Sequence, residues 1–147
     1  MMKDKENGLN WKAILWSALL LFGIPFLINL IIGSAYGLMI GFQTRGDVSV
    51  INAKMQTFTS SPLFLGLLVL VVCLTAFWRG RVLAKKVGAQ QAVSHVLIAV
   101  GLGMSMRTLL ALGLSSDRLG ILTAWLVGEW VLAFASGFLG TRFEARQ

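Results

Sequence analysis

From Ala13 to Ile40 the chain runs through twenty-eight residues, AILWSALLLFGIPFLINLIIGSAYGLMI, without one charged side chain. A helix of that length is about 42 Å long at 1.5 Å per residue, more than the ~30 Å hydrocarbon core of a bilayer. It is therefore expected to tilt, to kink or to project beyond the membrane. Pro25 lies inside the block and lacks the N–H that would bond the carbonyl of Leu21, so a kink is expected there. A secretory signal cleaved after Ala35 is the competing reading. The apolar stretch of such a signal is usually only about 7–15 residues.

Three further apolar blocks follow, at about Pro62–Trp78, Ala92–Leu114 and Leu119–Leu139, and continuation of the first of these into the basic segment after it is the alternative to a loop there. Of the 147 residues, 56% are apolar and 13% charged, against about 45–50% and 25% in soluble domains. Four spans of about 20 residues absorb about 80 apolar residues, nearly all that this chain has. The expected fold is an all-α integral membrane protein: a four-transmembrane-helix bundle forming a single membrane domain over 1–147. In the outer loop, 41–61, Val48, Ile51, Met55 and Phe58 recur at three- and four-residue spacing, which predicts a short amphipathic helix. A strand at Val48–Ile51 is the alternative. Ser60-Ser61-Pro62 reads as a capped helix start with proline in the first turn. Ser115–Arg118 is short enough to demand a tight antiparallel hairpin.

The net charge of +7 does not indicate nucleic acid, because that requires basic residues gathered on one face. Here they lie between the apolar blocks. Lys3, Lys5, Lys12, Arg79, Arg81, Lys85, Lys86, Arg142 and Arg146 fall on one side of a four-span layout, nine in all, against Arg45, Lys54 and Arg118 on the other. The positive-inside rule then puts both termini and the 79–91 loop in the cytoplasm, and the bacterial inner membrane is the expected location. Trp11, Trp16 and Trp78 fall at the inner interface, where indoles favour headgroup depth.

Arg107 and Glu129 are the outstanding residues, because ionisable groups inside the hydrocarbon are costly and face a bundle interior or a cavity. Glu129 is about 15 Å into the fourth span and Arg107 about 10 Å down the third from the same end. An Arg107–Glu129 ion pair is expected. Its role is either to hold the hairpin register or to serve a proton- or ion-coupled pathway. Asn29, Gly33, Gly37 and Gly41 share a face of the first span at four-residue spacing, suited to close backbone approach. The partner is another helix of this chain or a second copy, and Asn29 is expected to hydrogen-bond across helices. Ala124 with Gly128, and Ala133 with Gly137, form similar faces on the fourth span. The run Arg79, Arg81, Lys85 and Lys86 sets topology or contacts lipid headgroups.

No metal site or cofactor is expected. His95, with no second His, Cys or carboxylate close in sequence, reads as a partly solvated interfacial residue, and Cys73 as a small apolar filler. No nucleophile–base arrangement, HExxH or phosphate loop is present, so an enzyme is not expected. Four spans with one membrane glutamate are similar in layout to the small multidrug-resistance transporters. Those carry the glutamate in the first span, whereas Glu129 is in the fourth beside Arg107, so the likeness is of architecture and implies no substrate. The expected function is non-enzymatic, through helix packing with membrane partners in an accessory, assembly or immunity role. A small dimeric transporter or channel using Arg107 and Glu129 is the alternative.

Overall fold

The computed structural model describes residues 9–114 and 119–145, with the side chains of 89 and 112–124 outside that description. Among the described residues there are five helices: α1 (Trp11–Gln43), α2 (Val48–Thr59), α3 (Pro62–Val87), α4 (Ala89–Leu114) and α5 (Leu119–Glu144). Three are long and apolar enough to cross a membrane: Trp11–Gln43, Pro62–Val87 and Gln90–Ala111. Large apolar side chains cover the outside of the bundle, among them Leu27, Ile31, Leu70, Leu109 and Val127. Water would not tolerate so extensive an apolar surface on a monomer.

Local chemistry sets the helix ends. The Asn10 side chain accepts the N–H of Ala13 at 3.1 Å and caps α1, which then continues unbroken through Pro25. Arg45 and Gly46 take left-handed backbone angles (φ 53° and 82°), and Asp47 then caps α2 by accepting the N–H groups of Ser49 and Val50. Ser61 caps α3, with Pro62 in the first turn. The strand alternative at Val48–Ile51 gives way to helix.

The 79–91 loop needs correction. Arg79 to Val87 continue α3, since Arg, Leu, Ala and Lys are good helix formers. Only Gly88 separates α3 from α4, at φ 83°, where a side chain would strain the backbone.

The core lies where α3 packs between α1, α4 and α5, around Leu21, Val72, Leu83, Val96 and Met104. α3 and α5 approach most closely. A Cβ at Gly80 would collide with the Gly137 carbonyl, and one at Gly140 with the Phe77 carbonyl. α1 meets α4 through Gly103, where a Cβ would lie 3.0 Å from the Ala18 carbonyl. Here small residues set the distance between helices, as in membrane bundles generally.

α1 runs past this core. His95 pairs with Asn10, 85 positions apart, and Gly103 with Ala18, also 85 (103 − 18). The same offset puts Asn29 level with Leu114, the last residue of α4. The part of α1 after Asn29 therefore lies past the last described residue of α4, and α2 packs back along it. Met55 Sδ is 3.7 Å and Ile51 Cδ1 4.0 Å from Cβ positions at Gly37 and Gly41. Tyr36 stacks on Phe58 at 3.9 Å, and Phe58 meets Phe64 at 4.7 Å.

Candidate functional site

Among the described residues, two sites place a charged side chain inside the bundle. The first joins α4 to α5. Arg107 Nε donates to Glu129 Oε2 at 3.1 Å, and Nη2 is 2.9 Å from Oε1. The second contact is close but poorly aligned, so buried Oε1 has no hydrogen bond of good geometry. Glu129 is 5% exposed. Beside the pair, Trp130 Nε1 donates to Thr108 Oγ1 at 3.1 Å. On its other side Glu129 borders a cavity of about 240 Å³, shared with Val69, Trp125, Gly128 and Leu132.

The second site lies at the end of the bundle that holds the start of α1. Ser17 is on the α1 face shared by Asn10 and Ala13, and its hydroxyl donates to the Ala13 carbonyl at 2.7 Å. The same oxygen accepts two bonds from Arg79, Nη2 at 2.8 Å and Nε at 3.3 Å. Arg79 is 8% exposed, and its guanidinium is 5.3 Å from the centre of the Trp78 ring. Among the described residues no carboxylate pairs with it. Arg79 lines a pocket of about 400 Å³ together with Asn10, Lys12, Ala13, Trp16, Leu20 and Lys86.

The basic run therefore divides. Glu144 of α5 takes Arg81 at 3.0 Å and Lys85 at 3.3 Å, while Arg79 and Lys86 line the pocket. Burial pushes the Glu144 carboxyl up, but the hydrogen bonds and charges of Arg81 and Lys85 outweigh this and hold it below its ordinary value. Arg142 lies over Phe138 at 5.2 Å.

His95 departs from expectation. It is buried, not partly solvated, at 2% exposure. Its Nε2 accepts the Asn10 N–H at 2.9 Å, which leaves Nδ1–H to donate to the Gln91 carbonyl at 2.8 Å. Both ring nitrogens have backbone partners, so burial is compensated. The Asn29 expectation also needs correction. Within this chain Asn29 is exposed and makes no hydrogen bond among the described residues. The glycine face divides in the same way: Gly37 and Gly41 meet α2, and Gly33 has nothing within 4 Å. Gly137 packs against α3 and α4 and Ala133 is in the core. Ala124, Ser115–Arg118 and the lysines of residues 1–8 lie outside the described side chains.

The sequence carries no direct sign that Ser17 bonds Arg79 or that Lys12 and Trp16 line the same pocket. The available signal was Asn10, Ala13 and Ser17 at helical spacing, a small polar stripe facing the basic run. Comparison with protein-family models, with curated proteins and with solved structures finds no match.

Proposed function

We propose that the chain is a four-span protein of the bacterial inner membrane that acts without catalysis, by packing against a membrane partner through the uncovered face of α1. The observation that carries this reading is the pairing of exposed Asn29 with Gly33, which has open space over it. An amide facing lipid costs free energy until it is hydrogen-bonded. A glycine one turn away lets a second helix come close enough to supply that bond. α5, of the same 26-residue length as α3, counts as the fourth span. The excess of Lys and Arg beside the start of α1, the α3–α4 junction and the end of α5 supports cytoplasmic termini.

A photo-crosslinker at position 29, in cells, tests the reading. A discrete adduct with a membrane protein or with a second copy, lost when Gly33→Leu blocks the approach, is expected. A chain that emerges only as a monomer, with no adduct, would sink it. Reporter fusions at the two termini test the orientation.

A second reading, a small dimeric transporter or channel, is supported by Glu129 Oε1, which lacks a well-aligned partner and borders a cavity. Flux of protons or ions in reconstituted vesicles, abolished by Glu129→Gln, is its test. Absent flux, or flux that the substitution leaves unchanged, excludes it.

A further inference from the structure

We propose that the pocket between α1 and α3 is a binding site for the phosphate of an anionic phospholipid headgroup in the inner leaflet. This rests on the membrane-spanning reading above. Three cationic residues, Lys12, Arg79 and Lys86, line a pocket to which no carboxylate contributes among the described residues. Its volume of about 400 Å³ falls within the ~300–1,000 Å³ usual for ligand sites.

Arg79 supplies the main argument. Burying a guanidinium is costly unless it meets an anion or enough acceptors. The structure provides one hydroxyl, from Ser17, and the face of Trp78. The neighbouring cations of the same run, Arg81 and Lys85, have Glu144. Arg79, Lys12 and Lys86 have no such counter-charge among the described residues. A planar guanidinium matches phosphate oxygens geometrically, and lysines add point charges around it.

The choice of a lipid over free phosphate follows from the surroundings. Trp16 lines the pocket, and Trp11, Trp16 and Trp78 are all exposed around this end of the bundle. Exposed indoles gathered at one end of a bundle mark the interfacial zone. Leu20 also lines the pocket, and exposed Leu15 and Leu19 continue the apolar surface along α1, where acyl chains would lie. Anionic lipids are concentrated in the cytoplasmic leaflet, the side on which the basic excess places this pocket.

The test uses the full chain in a non-ionic detergent. Phosphatidylglycerol and phosphatidylcholine are titrated separately, with bound lipid counted by native mass spectrometry. Retention of a single phosphatidylglycerol in preference to phosphatidylcholine is expected. Lys12→Gln with Lys86→Gln, both exposed and outside the core, should weaken it about thirtyfold at about 1 kcal/mol per basic residue. Arg79→Gln should weaken it further, and the lysine pair keeps the test decisive if that variant does not fold. Arg81→Gln with Lys85→Gln should leave it within about twofold, because Glu144 already holds those charges.

Equal retention of the two lipids overturns the proposal, as does equal loss in the Arg81/Lys85 variant, which would mean diffuse attraction. Displacement by inorganic phosphate alone would make it a soluble-anion site and overturn the lipid assignment. Phosphatidylglycerol binding only after Asp4→Asn and Glu6→Gln would show that the chain's own acidic residues fill the pocket, again overturning it. Release of the chain from membranes by alkaline extraction would instead overturn the membrane-spanning reading, independently of what the pocket binds in detergent.

Discussion

Arg79 and Ser17, 62 residues apart, share one buried hydroxyl: Nη2 and Nε of the arginine are 2.8 and 3.3 Å from Ser17 Oγ. The serine thus joins α1 to α3, and its own proton goes to Ala13. Ser17→Ala removes the only side-chain acceptor Arg79 has among the described residues. A loss of about 1–3 kcal/mol is expected, read as a lower unfolding midpoint in detergent. If bound anionic lipid compensates Arg79, adding phosphatidylglycerol should recover part of this loss.

Arg107 and Glu129 should behave as a coupled pair. Removing either charge alone leaves the other buried, at a cost of about 3–5 kcal/mol. Replacing both with Met or Leu should be neutral or stabilising by up to about 4 kcal/mol if the pair only holds α4 against α5. A double-mutant cycle by equilibrium unfolding measures this.

The α3–α5 contact should be intolerant of a single methyl group. Gly80→Ala and Gly140→Ala each drive a Cβ against a backbone carbonyl, which cannot rotate away as a side chain can. A loss of about 3 kcal/mol or more is expected for each. Gly23→Ala, with nothing within 4 Å, should be neutral or stabilising by up to about 1 kcal/mol through helix propensity. Thermal unfolding of the three variants side by side distinguishes the two kinds of glycine.

Acid should loosen both ends of the molecule. Glu144 is held below its ordinary value of 4.5 despite burial. Asp47 is lowered from 3.8 by the Ser49 hydroxyl, and then by the Val50 and Ser49 N–H groups. A lowered folded-state pKa means a contribution fully present above the ordinary carboxylate range and lost as pH falls through the lowered value. Unfolding midpoints should therefore decline below about pH 4.5. In an Arg81→Gln, Lys85→Gln variant the Glu144 part of that decline should disappear, and Asp47→Asn should remove the α2 part.

Much of the architecture was legible because lipid solvent imposes one-dimensional rules. Charge-free blocks mark candidate spans, Ser61-Pro62 marks the start of α3, and the Ile51, Met55 and Phe58 spacing marks α2. The 79–91 segment is polar enough to resemble a loop, yet its residues favour helix and only Gly88 interrupts. The burial of His95 is not legible because its partners are backbone groups of Asn10 and Gln91, which carry no sequence signal. Which segments avoid water and where positive charge accumulates both follow from composition along the chain alone. The packing of distant helices settled instead that Glu144 neutralises Arg81 and Lys85, that Arg79 receives, among the described residues, a hydroxyl and the Trp78 face, and that α1 runs on past the described end of α4. Those outcomes depend on register between distant helices, and glycine contacts at Gly80, Gly103 and Gly140 set that register by steric fit.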